Sequence, residues 1–323
     1  MKIAITGGNG FIGSRLADLL IADGHQVVSI DTNGPTPVDI LDRAALTNAV
    51  KGCNAIYHLA AAHRDDIFPR TVYYDVNAGG TKNVIDAANA AGITQIIFTS
   101  TFAVYGLNTG MPDEDSDLHP FNDYGKSKLE GEQHLKLWVK GDAARTLTIV
   151  RPVVVFGEGN RGNVHTYISQ IVSGKFVMIG KGTNRKSMAY VGNVAAFLKH
   201  CLNEKAGFAL YNYADKPDFD MNTLTDVVYR KLGKSKPSFR IPYPVGLMAG
   251  VAFDILARVT RRSFPISKVR VQKFCADTTC ASERRKATGF VERYTLAEGL
   301  ERMIDADFLG RASAPAQPKA KAA

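Results

Sequence analysis

Tyr124 and Lys128, the ends of the pentapeptide Tyr124-Gly125-Lys126-Ser127-Lys128, are the residues whose types and spacing most plainly suit chemistry. Four positions apart on a helix, they project from one face, a single turn from each other. A phenol alone titrates near ~10. An adjacent ammonium favours the phenolate and brings that value toward the working pH. A tyrosine so placed can take the proton of an alcohol while a hydride leaves the same carbon. Taken alone, the pentapeptide is equally satisfied as an exposed Tyr–Lys pair on a solvated helix. The elements that hold it decide between the two.

The first of those elements lies at the N-terminus. Ile3-Ala4-Ile5-Thr6 is a short apolar run of the kind a buried strand shows, and Gly7-Gly8-Asn9-Gly10-Phe11-Ile12-Gly13 follows directly. Ile12, Leu16, Leu19 and Leu20 then recur at helical spacing, Gly24 closes the helix, and a second strand, Gln26–Ile30, ends at Asp31. Strand, glycines, helix, strand and acid in that order form a dinucleotide-binding unit. Gly7 permits the turn, Gly10 lets the backbone approach a pyrophosphate, and Gly13 lets helix and strand pack closely. The free N–H groups of the helix start suit phosphate. Asp31 can accept both ribose hydroxyls, and its charge repels a 2′-phosphate, so NAD is expected rather than NADP.

The alternation continues. A helix is expected from about Asp42 to Lys51, a strand at Ala55–Leu59, a long helix from about Asn77 to Ala91, and strands at Gln95–Thr99 and Thr148–Arg151. This is the pattern of an α/β, Rossmann-type doubly wound parallel sheet. After Pro152 the pattern loosens into glycine-rich turns, which suits a smaller C-terminal substrate-binding lobe. The expected division is an NAD-binding domain over 1–151 with a returning segment at about 187–212. The lobe takes 152–186 and 213–309, and a tail over 310–323, rich in Ala, Pro and Lys, is expected to be disordered.

The chain of 323 residues carries a net charge of +9, with basic residues crowded from Arg258 to Arg293. Such a region could meet nucleic acid, anionic lipid or a diphosphate. No nucleic-acid-binding motif accompanies it, so nucleic acid is set aside. The four cysteines, Cys53, Cys201, Cys275 and Cys280, form no CxxC and no metal set, which suits a reducing cytoplasm. A strand that begins at once leaves no room for a signal peptide. From Ile241 to Phe253 the chain is uncharged, shorter than the ~20 residues a spanning helix needs. Flanked by Arg258, Arg261, Arg262 and Lys268, segment 241–262 reads either as an interfacial element on an anionic membrane or as a buried helix with a basic strip.

Taken together, Thr6–Gly13, Asp31, His58-Leu59-Ala60-Ala61, Asn77 with Gly80-Thr81, Thr99–Gly106, Tyr124 with Lys128, and Arg151-Pro152 resemble the extended short-chain dehydrogenase/reductase family, in its NAD-dependent epimerase/dehydratase branch. The resemblance implies Tyr124 as acid/base, Lys128 on the nicotinamide ribose, and Thr101 hydrogen-bonded to the reacting oxygen, with Ser100 a lesser candidate. It places Gly7, Gly10, Phe11, Ile12, Gly13, Asp31, Leu59, Ala60, Ala61 and Asn77 at the cofactor, and Asp39 and Ile40 at its adenine. Paired helices in relatives, at positions like 77–91 and 122–138, imply a homodimer by analogy.

Family members that dehydrate sugar nucleotides carry an Asp-Glu pair after the active-site Thr. Phe102 and Ala103 stand there instead, which leaves oxidation and re-reduction at one carbon. A closer resemblance, through Ala62–Asp66, Tyr73–Asn77, Gly159–Val164, Lys186–Asn193 and Ser267–Phe274, is to bacterial N-acetylglucosaminyl-diphospho-undecaprenol 4-epimerases. It implies a sugar on a polyprenyl diphosphate as substrate, in surface-polysaccharide assembly at the inner face of the cell membrane. Arg185, Lys186 and Arg270 are candidates to neutralise the diphosphate, or solvated surface cations. Asn163 and Arg64 are further substrate candidates, and Arg64 is equally suited to an internal ion pair. A soluble UDP-sugar 4-epimerase, a net NAD-dependent dehydrogenase of sugar or sterol-like alcohols, and a non-catalytic NAD-binding protein stand as the alternatives.

Overall fold

The computed structural model describes residues 1–64, 66–107, 109–260 and 267–310. Asp65, Arg261, Arg262 and the expected tail beyond Gly310 therefore lie outside the described residues. Six parallel strands form the main sheet: β1 (Lys2–Thr6), β2 (Gln26–Ile30), β3 (Ala55–His58), β4 (Gln95–Thr99), β5 (Thr146–Pro152) and, later in the chain, β9 (Gly207–Tyr213). Across the sheet they run β2-β1-β3-β4-β5-β9. The apolar runs of the inner strands β1, β3, β4 and β5 are buried on both faces, as parallel sheets require, and Ile3, Ala4 and Ile5 have no exposed surface.

Helices α1 (Phe11–Ala22) and α7 (Val191–His200) cover one face, where Leu16, Leu20, Val194 and Phe197 meet Ile5 and Ile97. The other face carries α2 (Arg43–Ala49), α4 (Gly80–Ala91) and α5 (Asp123–Lys140), with Leu46, Val84, Ala87, Leu135 and Trp138 packed on Ile56 and Phe98. Asp42 starts α2 by accepting a hydrogen bond from Ala45 N, and Gly92 closes α4 in the left-handed conformation. Strand order reverses across β1, with β2 on one side and β3 on the other, so a crevice opens at their carboxyl ends.

The long helix departs from the sequence expectation. It begins not near Asn77 but at α3 (Thr71–Tyr74) and passes through a π-helical turn, Asp75–Gly79, into α4. The wider turn places Asn77, at 1% exposure, inside the helix–helix junction.

A second layer hangs from the carboxyl end of the sheet. Strands β6 (Val154–Phe156), β8 (Arg185–Tyr190) and β10 (Asp215–Asp220) form a three-stranded sheet, and β7 (Met178–Ile179) pairs with β11 (Arg240–Ile241). Helices α6 (Asn163–Val172), α8 (Met221–Lys231) and α11 (Leu296–Phe308) close a separate core around Phe156, Ile168, Met188, Val228 and Leu300. The segment between α6 and α8 returns to the main sheet as α7 and β9.

Helix α9 (Tyr243–Thr260) and α10 (Lys268–Cys275) pack on each other. Gly246 and Gly250 form the contact face of α9. A Cβ on Gly246 would lie 2.6 Å from Ile179, and one on Gly250 would lie 2.8 Å from the Lys268 nitrogen. With glycines turned inward, the bulky residues of α9 turn outward.

Candidate active site

The glycine turn makes a cradle that side chains would fill. Gly7 sits at φ +71°, and a Cβ there would stand 2.8 Å from Ala60 N. A Cβ on Gly13 would stand 2.1 Å from Gly7 O, so the helix start lies directly on the turn. Gly10 caps α1 without a side chain, and no acidic residue stands in its first turn. The leading N–H groups and the positive helix end are thus set for an anion. Asp31, at the end of β2, accepts from Asn9 N at 3.1 Å and Asn33 N at 3.0 Å, which holds its carboxylate at the rim of the crevice. Ile12 lies between the two cores, and Phe11 stacks under the Arg15 guanidinium. These residues fit a dinucleotide.

Beneath the cradle, one chain of hydrogen bonds sets the loop after β3. Ala60 N donates to Thr6 Oγ1, whose hydroxyl lies 2.7 Å from His58 Nδ1. His58 Nε2 lies 3.0 Å from Thr81 Oγ1, and Thr81 donates to Asn77 O. Because the Thr81 proton is spent on that carbonyl, His58 Nε2–H donates to Thr81. Burial, and then the nearby Lys128 charge, push the imidazole down to about 3. The ring is therefore neutral, and its Nδ1 accepts from Thr6. Asn77 then clasps the loop from both sides: it accepts from Ala62 N and donates to Ala62 O and Ser127 Oγ. Leu59 N donates to Thr6 O. In this way Leu59, Ala60 and Ala61 are presented along the crevice, while Ser127 links the same loop to α5.

Asp39 spends one carboxylate oxygen on Leu41 N, and the Ile40 side chain is buried against Gly80. Asp39 is exposed, while the Ile40 side chain belongs to the core.

Thr101 follows β4 and caps a short 3-10 turn, Phe102–Tyr105, accepting from Ala103 N. The start of α5 rides close on that turn because residue 125 is glycine. A Cβ there would lie 2.9 Å from Ala103 O. The approach brings the Thr101 hydroxyl beside the Tyr124 phenol. Burial raises Tyr124 above the ordinary phenol value, and the Thr101 hydroxyl opposes it. This corrects the sequence expectation that Lys128 draws the phenol down. The Lys128 ammonium instead lies 4.0 Å from the centroid of the Phe98 ring, one turn deeper, at 1% exposure. Burial pushes it down to about 7, against the upward pull of Glu132.

Ser100 requires a second correction. Its hydroxyl donates to Glu132 Oε1 at 2.6 Å and is buried, so it acts within the protein rather than on a reacting oxygen. Glu132 itself goes unnoticed in the sequence. It is wholly buried in a two-pronged pair with Arg151, whose Nε lies at 2.8 Å and Nη2 at 2.6 Å, and Arg151 also donates to Tyr105 Oη. The available signal is a carboxylate one helical turn past Lys128, on the inward face.

The expected substrate residues scatter. Lys186 donates to the carbonyls of Lys273 and Ala276 at the end of α10, so its ammonium fastens β8 to that helix instead of facing a diphosphate. Burial lowers it accordingly. Arg64 forms an exposed ion pair with Asp66 at 3.0 Å. Arg185 is exposed beside the lobe, its backbone N held by Asp277. Arg270 stands in the first turn of α10, and Asn163 opens α6. Lys273 lies over Phe121, just ahead of Tyr124, which brings α10 to the mouth of the site. Among the described residues no cluster of His, Cys, Asp and Glu could hold a metal.

Known proteins resemble this chain in sequence and in fold. The model of the NAD dependent epimerase/dehydratase family matches residues 3–213. A protein of Escherichia coli O157:H7, N-acetyl-alpha-D-glucosaminyl-diphospho-ditrans,octacis-undecaprenol 4-epimerase, is 46% identical over 317 residues, 95% of this chain and 96% of its own. Two solved structures have the same fold. MoeE5 in complex with UDP-glucose and NAD has a TM-score of 0.74 at 24% identity, covering 94% of this chain and 98% of its own. UDP-N-acetylglucosamine 4-epimerase from Bacillus cereus has a TM-score of 0.75 at 18% identity, covering 98% and 99%. With the family match running from β1 to β9 and the Escherichia coli relative aligned along nearly the whole length, the chain belongs to the NAD dependent epimerase/dehydratase family, and its cofactor is NAD.

Proposed function

We propose that this enzyme inverts C4 of an N-acetylhexosamine carried on a polyprenyl diphosphate, interconverting the GlcNAc and GalNAc forms. The placement of the Thr101 hydroxyl beside Tyr124, with Lys128 buried one helical turn on, carries the reading, because it aims one acid/base and one hydroxyl at a single oxygen. NAD, when bound, supplies the acceptor and then the donor of the C4 hydride. Tyr124 takes the O4 proton and later returns it, while Thr101 donates a hydrogen bond to the same oxygen. Lys128 holds the nicotinamide ribose, and the Gly7–Gly13 turn and Asp31 hold the rest of the cofactor through the cycle. Phe102 and Ala103, in the turn after Thr101, offer no carboxylate for elimination at neighbouring carbons.

The relative at 46% identity supports the lipid carrier, and so does α9. Met248 is 65% exposed and Ile255 60%, with Val245 and Leu256 beside them and Val269 on α10. Arg258, Lys268 and Lys273 surround this apolar face, as on helices that lie in an anionic interface. No described helix is long and apolar enough to cross a membrane. We place α9 flat on the bilayer surface, from which the polyprenyl diphosphate reaches the site past α10. A homodimer through α4 and α5 belongs to the same proposal.

The test is purified enzyme given GlcNAc-diphospho-undecaprenol in membranes, and UDP-GlcNAc in a parallel reaction. GalNAc should form on the lipid carrier without bulk NADH. Faster conversion of UDP-GlcNAc would assign the nucleotide sugar instead, and steady NADH release would make the enzyme a net dehydrogenase.

A further inference from the structure

The mechanism uses no group on α5 past Lys128, yet the next residue on that face is a carboxylate with no exposed surface. Burying a carboxylate is costly unless it is paired, and an apolar pair of similar volume is often as stable. Stability alone therefore does not account for Glu132. Its contacts point elsewhere. Oε1 accepts from Ser100 Oγ at 2.6 Å and Arg151 Nε at 2.8 Å, while Oε2 accepts from Arg151 Nη2 at 2.6 Å and Lys136 Nζ at 3.4 Å. Ser100 immediately precedes Thr101, and its own N–H is fixed to Val150 O. One carboxylate thus binds the end of β4 to the helix that carries Tyr124 and Lys128.

The surroundings of Lys128 give that carboxylate a second task. From β4 it meets the Phe98 ring, and from β3 the neutral His58. The π-helical turn offers the uncharged Asn77 amide, which is directed to Ser127 and Ala62. Arg151, on β5, is directed to Glu132 and Tyr105. On α5 itself stand Tyr124 and Glu132. Burial strips charge from the ammonium, and Glu132 is the group that acts in the opposite direction.

We infer that Glu132 is a positioning residue for the epimerase reaction: through Ser100 it sets Thr101 against Tyr124, and it places a negative charge one helical turn from Lys128. The inference rests on the roles proposed for Tyr124 and Lys128. Removing the negative charge makes the ammonium harder to keep, so Lys128 would lose its proton at lower pH and the alkaline limb of kcat would move down.

The experiment measures kcat and KM against pH for the full chain with NAD and GlcNAc-diphospho-undecaprenol. Variants are Glu132→Gln, Glu132→Asp, Ser100→Ala, and the double change Glu132→Gln with Arg151→Met, which leaves no guanidinium unpaired. Glu132→Gln should shift the alkaline limb down by about one pH unit, with KM little changed, and Asp should restore it; the double variant, which loses a positive charge as well, should move the limb less but still lower kcat. Ser100→Ala should lower kcat roughly tenfold without moving the limb. An unmoved limb in a folded Gln variant, or an unchanged kcat in a folded double variant, overturns the inference. Should both fail to fold by thermal melting, an unchanged kcat in Ser100→Ala overturns it. Wild-type protein without turnover would instead defeat the assigned reaction, a separate result.

Discussion

Helices α5 and α9 use their side chains in opposite senses. Along α5 three polar residues turn inward: Ser127, Lys128 and Glu132 are buried at or below 1% exposure, while Leu137 stands 69% exposed. Along α9 the inner face is glycine, and Met248 and Ile255 face out. Charge held inside a core costs free energy unless each group is matched. A broad apolar face left outside is equally unfavourable in water. Each helix therefore departs from simple amphipathicity where something else must be satisfied. Under the proposed function, α5 serves a reacting oxygen and a cofactor, and α9 serves a membrane surface.

The contrast breaks first at Tyr124. Tyr124→Phe removes the phenol aimed at the reacting oxygen, so kcat should fall by roughly 10²–10⁴-fold. NAD should stay bound, as read by the cofactor released on denaturation, and a rate near wild type would dismantle the inward half of the comparison. Next, Gly13→Val would drive a side chain into Gly7 O, which lies 2.1 Å from where its Cβ must stand. The purified variant should retain no NAD, and a fully loaded protein would show that the cradle does not hold the cofactor.

The outward half is tested by Met248→Asp with Ile255→Asp. These are better probes than Leu247 and Phe253, which are only half-exposed. Flotation with anionic vesicles should be lost while the melting temperature stays within a few degrees. Recovery with vesicles equal to wild type would return α9 to an ordinary surface. Asp31→Ala should weaken NAD binding and narrow the preference over NADP, measured by titration with each cofactor; an unchanged ratio would remove Asp31 from the ribose. The smallest effect belongs to Arg64→Ala. Its pair with Asp66 is exposed, so a denaturant melt should show no measurable change in stability. A fall in kcat/KM beyond a few-fold would show that Arg64 meets substrate.

Several parts of this molecule are local enough to be legible in a single chain. The β1–α1–β2 unit is announced by an apolar run, glycines at a fixed interval and a closing acid, because turn, helix start and strand each depend on neighbours within a few residues. Gly125 stands in plain view between Tyr124 and Lys128, but its purpose shows only when Ala103 O lies against it. The start of the long helix escapes the sequence pattern because the π-helical turn at Asp75–Gly79 interrupts the 3.6-residue period on which such patterns depend.

What the sequence by itself determined is the reaction type and the cofactor: Tyr124 and Lys128 at one-turn spacing, the glycine turn, Asp31, and Phe102 and Ala103 where carboxylates would serve elimination. Tertiary structure alone decided what each charged residue faces. It turned Lys186 onto the carbonyls of α10, gave Ser100 to Glu132, left Arg64 in solvent, and buried Lys128 over the Phe98 ring. The physical reason is range. Helical and turn preferences are set by a few bonds along the chain, whereas a charge answers to whatever the fold brings within several ångströms, from residues that are far apart in sequence.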